Sequence, residues 1–307
     1  MQNQKLLIIA NPYSGKGKIK TDLLTIVQIF SDAGYDVTVY PTKHQGDAVV
    51  KAQSLDQNDY DRIVVCGGDG TLNEVITGIM RKGLKCTLGY IPYGTLNEWS
   101  SSLNISRNAK KAVNDILSGC ELDLDIGKFD DRYFSYTASF GAFTEASYSA
   151  PQEVKNVLGQ AAYFFEGVKS LSNIKPLHLK FICDDREIED DFLFGAISNS
   201  MSVGGIVKFK DSIVNLNDGK FEVLLIKNPN SIIQFQSIVD GILSKELDCN
   251  GIEFFQASKI KVIGGENVPW TLDGEFSPGK EVVTLKNMHS ALHLVVPCNK
   301  KKISNKN

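Results

Sequence analysis

Three glycine-bearing turns hold the residue types from which this chain could build a reaction site. Gly67-Gly68-Asp69-Gly70-Thr71 follows an apolar run and opens a helical pattern. Glycines there let the backbone turn sharply and approach a ligand with no Cβ in the way. The N–H groups of a helix start, aided by its dipole, suit an anion such as phosphate. Asp69 is badly placed beside a bare phosphate and well placed beside one bridged by Mg²⁺. On glycine content alone the run also reads as a strand-to-helix turn that binds nothing. Asn11-Pro12-Tyr13-Ser14-Gly15-Lys16 is a second turn of this kind, with a lysine at its mouth. It lacks the glycine spacing and the Gly-Lys-Ser/Thr ending of a Walker A loop. The third is Pro92-Tyr93-Gly94-Thr95-Leu96-Asn97-Glu98. One such loop says little; three at the carboxyl ends of parallel strands would converge where open α/β sheets bind ligands.

The elements needed to position these turns are legible from the apolar pattern. Lys5 to Ala10, Tyr35 to Tyr40, Asp61 to Cys66 and Thr87 to Ile91 read as strands. Between them, helical spacing brings Ile19, Leu23, Val27 and Phe30 to one face, and Leu72, Val75, Ile76 and Ile79 to another. Ser106 can cap a further helix running to about Leu117. This alternation predicts a doubly wound parallel sheet over residues 1–126. From about Leu122 the rhythm changes to many short strands, among them 177–183, 192–197, 221–226, 259–263, 282–285 and 291–296. They predict a β-sandwich over 127–307, interrupted by helical patterns near 152–171 and 231–247. The last strand is free to return to the first domain.

Composition narrows the classes further. With 307 residues, about two domains are expected. Lys and Arg number 33 against 36 Asp and Glu, which argues against a protein built to grip nucleic acid. No apolar run nears the roughly 18 residues of a membrane-spanning helix, and the first residues do not form a secretion signal. A cytoplasmic chain is therefore expected. Six cysteines are spread along it without metal-ligand spacing, and six reduced, mostly buried thiols are expected. His289 and His293 have a metal-like spacing only on a helix, and their neighbours read as a strand.

Taken together, Asn11-Pro12-x-Ser14-Gly15, Gly67-Gly68-Asp69-Gly70-Thr71-Leu72-Asn73-Glu74-Val75 and Pro92-x-Gly94-Thr95-x-Asn97 resemble the diacylglycerol kinase catalytic domain. The likeness to soluble bacterial lipid kinases continues through Asp123-x-Asp125-x-Gly127, Asn217-Asp218-Gly219-Lys220-Phe221 and Asp273-Gly274-Glu275. It covers roughly residues 5 to 296. The resemblance implies an α/β nucleotide-binding domain of NAD kinase-like fold followed by a β-sandwich domain. It also implies ATP- and Mg²⁺-dependent phosphorylation of a lipid hydroxyl, most naturally that of diacylglycerol. Carried across residue by residue, ATP contacts fall on Asn11, Pro12, Tyr13, Ser14, Gly15 and Lys16, and on Thr42. They continue over Gly67, Gly68, Asp69, Gly70, Thr71, Leu72, Asn73 and Glu74, then Thr95 and Asn97. Asp273 and Glu275 supply the proton acceptor: two residues apart on an extended segment, they would share a face. Which one is the base stays open, and taken alone Asp273-Gly274-Glu275 reads as a surface turn.

The resemblance further implies that Asp69, Glu98 and Asp125 form an acidic, metal-holding network. Relatives commonly have Asn-Asp where this chain has Asn97-Glu98, a carboxylate one methylene longer. A structural Mg²⁺ site is implied at Asn215, Asp218 and the Lys220 carbonyl, where an amide replaces one carboxylate and weakens binding. Membrane contact would be peripheral, with the four lysines of residues 299–307 able to lean on anionic lipid and the 150–171 stretch able to cover an acyl chain. A homodimer is left open. NAD kinase-like or sphingoid-base kinase activity and a non-catalytic nucleotide- or lipid-binding relative are the alternatives. Asn73-Glu74 directly after the glycine run favours a lipid kinase over the NAD kinases.

Overall fold

A computed structural model describes residues 4–95, 97–141, 175–200, 202–203, 207–208 and 215–298. The helical pattern near 152–171 and the lysine-rich end beyond 298 lie outside the described residues. The chain forms two compact units, the first running to Leu124 and resuming at Ser290, the second spanning Asp125–His289.

In the first unit the strands are β1 (Gln4–Ala10), β2 (Tyr35–Pro41), β3 (Arg62–Gly67) and β4 (Thr87–Pro92). They pair in the order β2-β1-β3-β4, all parallel. Leu6, Leu7, Ile8 and Ile9 are all fully buried, because a parallel strand is covered on both faces. Helix α1 (Ile19–Asp32) packs Ile19, Ile26 and Phe30 on the face formed by Leu6, Ile8 and Val64. The opposite face, with Leu7, Ile9, Ile63 and Val65, is left to α2 (Asp47–Gln53) and α3 (Asp69–Lys82). These two helices pack so closely that a Cβ on Gly78 would stand 2.5 Å from that of Ala52. The short α4 (Glu98–Ser102) and α5 (Ala109–Ser118) follow. Asn108, not Ser106, caps α5: its side chain accepts the Lys111 N–H, while the Ser106 hydroxyl accepts that of Asn108. This is the expected mixed α/β fold around a parallel sheet. Periodicity leaves out α2 and α4, because at seven and five residues they are too short to show a period.

The second unit is antiparallel. It begins within β5 (Cys120–Phe129) and continues through β6 (Arg132–Phe134), β7 (Thr137–Gly141), β8 (Leu177–Cys183) and β9 (Glu187–Ser198). A two-residue ribbon, β10 (Ser202–Val203) with β11 (Val207–Lys208), precedes β12 (Phe221–Lys227). Next come α6 (Ile232–Ser244), capped by Ser231, then β13 (Ile252–Ala257), β14 (Lys259–Ile263), β15 (Trp270–Leu272) and β16 (Glu275–Ser277). β9 is shared: its first half pairs with β8 and its second half with β7 and β12. The strands close around a core that includes Phe134, Phe140, Phe181, Phe192, Phe221 and Trp270, and α6 covers a second cluster with Phe194, Leu224 and Ile242.

β17 (Val282–Val296) is one 15-residue strand, where the sequence suggests two. Its first half pairs with β14 in the second unit. Its end returns to the first unit, where His293 and Leu294 lie parallel to Thr87 and Leu88 of β4. The break in the apolar pattern is Ser290, whose φ of 49° turns the strand without ending it. Cys120 and Cys298 form a disulfide, which corrects the expectation of six reduced thiols. Their Cα atoms are 5.1 Å apart although 178 residues separate them in sequence, so spacing gives no sign of the pair. Among the described residues no helix is long and apolar enough to cross a membrane.

Candidate active site

In the first unit the three turns leave the same edge of the sheet, because Ala10 pairs with Cys66 and Gly67 with Pro92. Backbone bonds extend the ladder past the strand ends: Asn11 N–H donates to the Cys66 carbonyl, Tyr93 N–H to that of Gly67, and Thr42 N–H to that of Ala10. The turns then clasp one another. Asn11 Nδ2 donates to Thr71 Oγ1 at 3.1 Å, and Asn11 Oδ1 accepts the Tyr13 N–H at 3.0 Å. A Cβ on Gly94 would stand 2.7 Å from Gly68 Cα, and one on Gly15 would stand 2.8 Å from the Tyr93 carbonyl oxygen. These glycines are therefore required by backbone touching backbone. Gly15, Lys16 and Gly17 all have positive φ, and Gly15 and Lys16 form a left-handed turn that leaves the lysine exposed. α3 starts at Asp69 with Gly68 as N-cap and no side-chain cap, an arrangement that suits an incoming anion.

Several residues grouped with the nucleotide contacts have other work. Glu74 accepts the N–H groups of Gly46 at 2.8 Å and Ala48 at 3.3 Å, so it holds the turn that presents Thr42. Asp47 holds the same turn from within, accepting the Tyr40 hydroxyl and the Lys43 N–H, both at 2.8 Å. These bonds keep the Asp47 carboxyl below its ordinary range, Lys43 contributing most. Buried Asn97, with φ of 50°, closes its own loop by donating to the Gly94 carbonyl. Leu72 is core. Thr95 is exposed, Asn73 half-buried, and Glu98 opens α4. Beneath the loops, burial and then the Asp69 charge push the Tyr90 hydroxyl well above its usual pKa.

In the second unit, Asp273-Gly274 is the two-residue turn of the β15–β16 hairpin. Leu272 pairs with Glu275, and both turn residues have positive φ, 49° and 86°. That is the geometry an Asp-Gly pair favours between twisted strands. Asp273 and Glu275 are thus not on an extended segment, and the expected shared face gives way to a turn. The Asp273 carboxylate accepts the N–H groups of Ser135, Tyr136 and Thr137. Glu275 is exposed.

Asp125 is fully buried and organises the 215–220 loop. Its carboxylate accepts the Gly219 N–H at 2.7 Å and lies 3.0 Å from His289 Nδ1. Its N–H donates to the Leu216 carbonyl, and its own carbonyl accepts Asn199 Nδ2. Asn215 Oδ1 accepts the Asn217 N–H, and Asp218 Oδ1 that of Lys220. Asn215, Asp218 and the Lys220 carbonyl offer only hard oxygen donors, in keeping with Mg²⁺, with one formal charge among them. Among the described residues no three His, Cys, Asp or Glu side chains converge to hold a metal. Burial, reinforced by Asp125, raises the Asp218 carboxyl. His289 and His293 both lie on β17, where His293 pairs with Asp123. Sequence reading missed Glu222, buried in β12 and pushed up to about 8 by burial, with Gln256 as its bonding partner. Its one signal is an acid inside the apolar run from Phe221 to Ile226.

A parallel sheet with helices on both faces and glycine turns gathered at one sheet edge, together with an antiparallel unit, makes this a mixed α/β protein. The description "Diacylglycerol kinase catalytic domain" matches residues 5–129. A diacylglycerol kinase of Bacillus subtilis (strain 168) is 31% identical over 294 residues, covering 94% of this chain and 95% of that one. One of Staphylococcus haemolyticus (strain JCSC1435) is 30% identical, covering 94% and 87%. A solved diacylglycerol kinase of Bacillus anthracis str. Sterne superposes with a TM-score of 0.72 at 22% identity, covering 98% of this chain and 99% of that one. A second structure from that organism gives 0.79 at 26% identity, covering 96% and 98%. The chain belongs to the diacylglycerol kinase family and is a lipid kinase.

Proposed function

We propose that this kinase moves the γ-phosphoryl group of ATP, with Mg²⁺, onto the hydroxyl of diacylglycerol, giving phosphatidic acid. The observation that supports this most is the backbone contact of Gly68 with Gly94 beside the Asn11–Thr71 bond. Three turns held this closely bring glycine backbone beside the uncapped N–H groups that start α3, as a polyphosphate needs. Phosphoryl transfer asks mainly for positioning, charge neutralisation and a proton acceptor.

In the first unit, Asn11 to Lys16, Thr42 and Gly67 to Thr71 bind and orient the phosphates, with Glu74, Asp47 and Asn97 keeping the turns in shape. Asp69, the first residue of α3, and Glu98 would supply carboxylate oxygens to the metal. Mg²⁺, when bound, neutralises phosphate charge; Asn215, Asp218 and the Lys220 carbonyl would hold a structural ion. In the second unit Glu275 takes the proton from the acceptor hydroxyl. Three backbone N–H bonds already occupy the Asp273 carboxylate, which assigns it to anchoring the hairpin that carries Glu275. A lipid acceptor and the lack of a spanning helix among the described residues favour peripheral contact with the membrane surface from the cytoplasmic side.

The test incubates the protein with ATP, Mg²⁺ and micelles containing diacylglycerol, phosphatidylglycerol, ceramide or sphingosine, with NAD in a separate arm. Phosphatidic acid that disappears in Glu275→Gln supports the reading. A phosphorylated sphingoid base or NAD would move the acceptor to a sister activity. ATP binding with no phosphorylated acceptor would overturn it.

A further inference from the structure

We propose that Cys120 and Cys298 form a thiol–disulfide exchange site that locks or releases the end of β17 in the first unit. The bond joins the first residue of β5 to the second residue past β17. β5 and β17 are the two strands through which the chain leaves the first unit and comes back to it. Without the bond, the return of β17 rests on the parallel pairing of His293 and Leu294 with Thr87 and Leu88, on its pairing with β5, on buried Leu292, Leu294 and Val295, and on the His293–Asp123 contact. A covalent tie at this point is worth more than its local contacts, because it closes a loop of 178 residues and restricts the unfolded chain.

Access favours exchange at this pair over the other thiols. Cys298 is exposed and Cys120 half-buried. Cys66 and Cys183 are buried, and Cys86 and Cys249 partly so. Burial pushes the Cys86 and Cys183 thiols up to about 12 and about 11, and raises Cys66 and Cys249 as well, so all four stay protonated and unreactive. The co-reactant is a small disulfide such as oxidised glutathione. In the reduced protein the exposed Cys298 thiolate attacks one of its sulfurs, forming a mixed disulfide and expelling one thiolate. Cys120 thiolate then attacks Cys298 Sγ, forming the protein bond and expelling the second. The two cysteine protons end on the two released thiols, and reduction by a thiol runs the same steps backwards.

The test uses the full chain equilibrated in glutathione buffers from fully oxidised to fully reduced, quenched with acid, alkylated in denaturant so that every free thiol is exposed, and weighed. Four modified cysteines at the oxidised limit, six at the reduced limit and a 120–298 cross-linked peptide are expected. Reduction should lower Tm by roughly 5–10 °C. Cys298→Ser should keep the reduced Tm in every buffer, and Cys120→Ser should match it. If Cys120→Ser does not fold, the exposed Cys298→Ser carries the comparison. Six alkylated cysteines at the oxidised limit, or one Tm across all buffers, would overturn the proposal. None of these readings depends on kinase turnover.

Discussion

Asp273 and Thr137 are bonded in both directions. Thr137 N–H donates to the Asp273 carboxylate at 3.0 Å, and Asp273 N–H donates to the Thr137 carbonyl at 2.9 Å. With Ser135 and Tyr136 also donating, Asp273 fixes the hairpin turn against the start of β7. Trp270, fully buried against Phe129 and Phe140, anchors the same hairpin from the core.

The two acids of this hairpin should therefore separate on mutation. Glu275→Gln removes an exposed base and should cut kcat about 10²- to 10⁴-fold with little change in Tm. Asp273→Ala strands three backbone donors and should cost about 3 kcal/mol or more of stability, as well as activity. Thermal melts beside steady-state kinetics read the split; an unchanged Tm in Asp273→Ala would refute the anchoring role.

Gly94→Ala tests the loop clasp. Its Cβ would stand 2.5 Å from Asn97 Oδ1 and 2.7 Å from the Gly68 Cα, so the loops must part. A loss of about 1–3 kcal/mol and a raised KM for ATP are expected. Calorimetry and ATP titration measure both, and wild-type values for both would mean the turns need not touch.

Glu74→Gln keeps the shape and loses the charge that grips the N–H groups of Gly46 and Ala48. Amide exchange at these two positions should accelerate, and KM for ATP should rise more than kcat falls. A fall in kcat alone, with protection unchanged, would place Glu74 in direct contact with the reaction instead.

Glu222 gives the fold a pH dependence. Its folded carboxyl titrates near 8 against 4.5 for a free one, because burial disfavours the charge. The raised folded pKa makes its contribution full below about 4.5 and progressively lost as pH rises towards 8. Between those limits the slope approaches ~1.4 kcal/mol per pH unit. Denaturant unfolding from pH 5 to 8.5 should show this decline, and Glu222→Gln should flatten it. Equal slopes in both proteins would rule Glu222 out as the source.

The first unit was readable because its signals are local. Apolar runs such as Leu6 to Ile9 mark doubly covered strands, helical periods mark α1, α3 and α5, and each glycine turn follows its strand directly. The motif residues were likewise visible as types at a spacing. What each does depends on partners that are distant in the chain. Glu74 grips Gly46 and Ala48, Asp273 grips residues 135–137, and Asp125 binds Gly219 and faces His289. Asp273 and Glu275 sit at fixed spacing in any fold, yet whether they share a face depends on φ at 273 and 274, which strand pairing sets. Cys120 meets Cys298 only because β5 and β17 both run into the first unit. Spacing records local geometry, whereas a hydrogen bond or disulfide across more than a hundred residues exists only once packing has closed the loop between its ends.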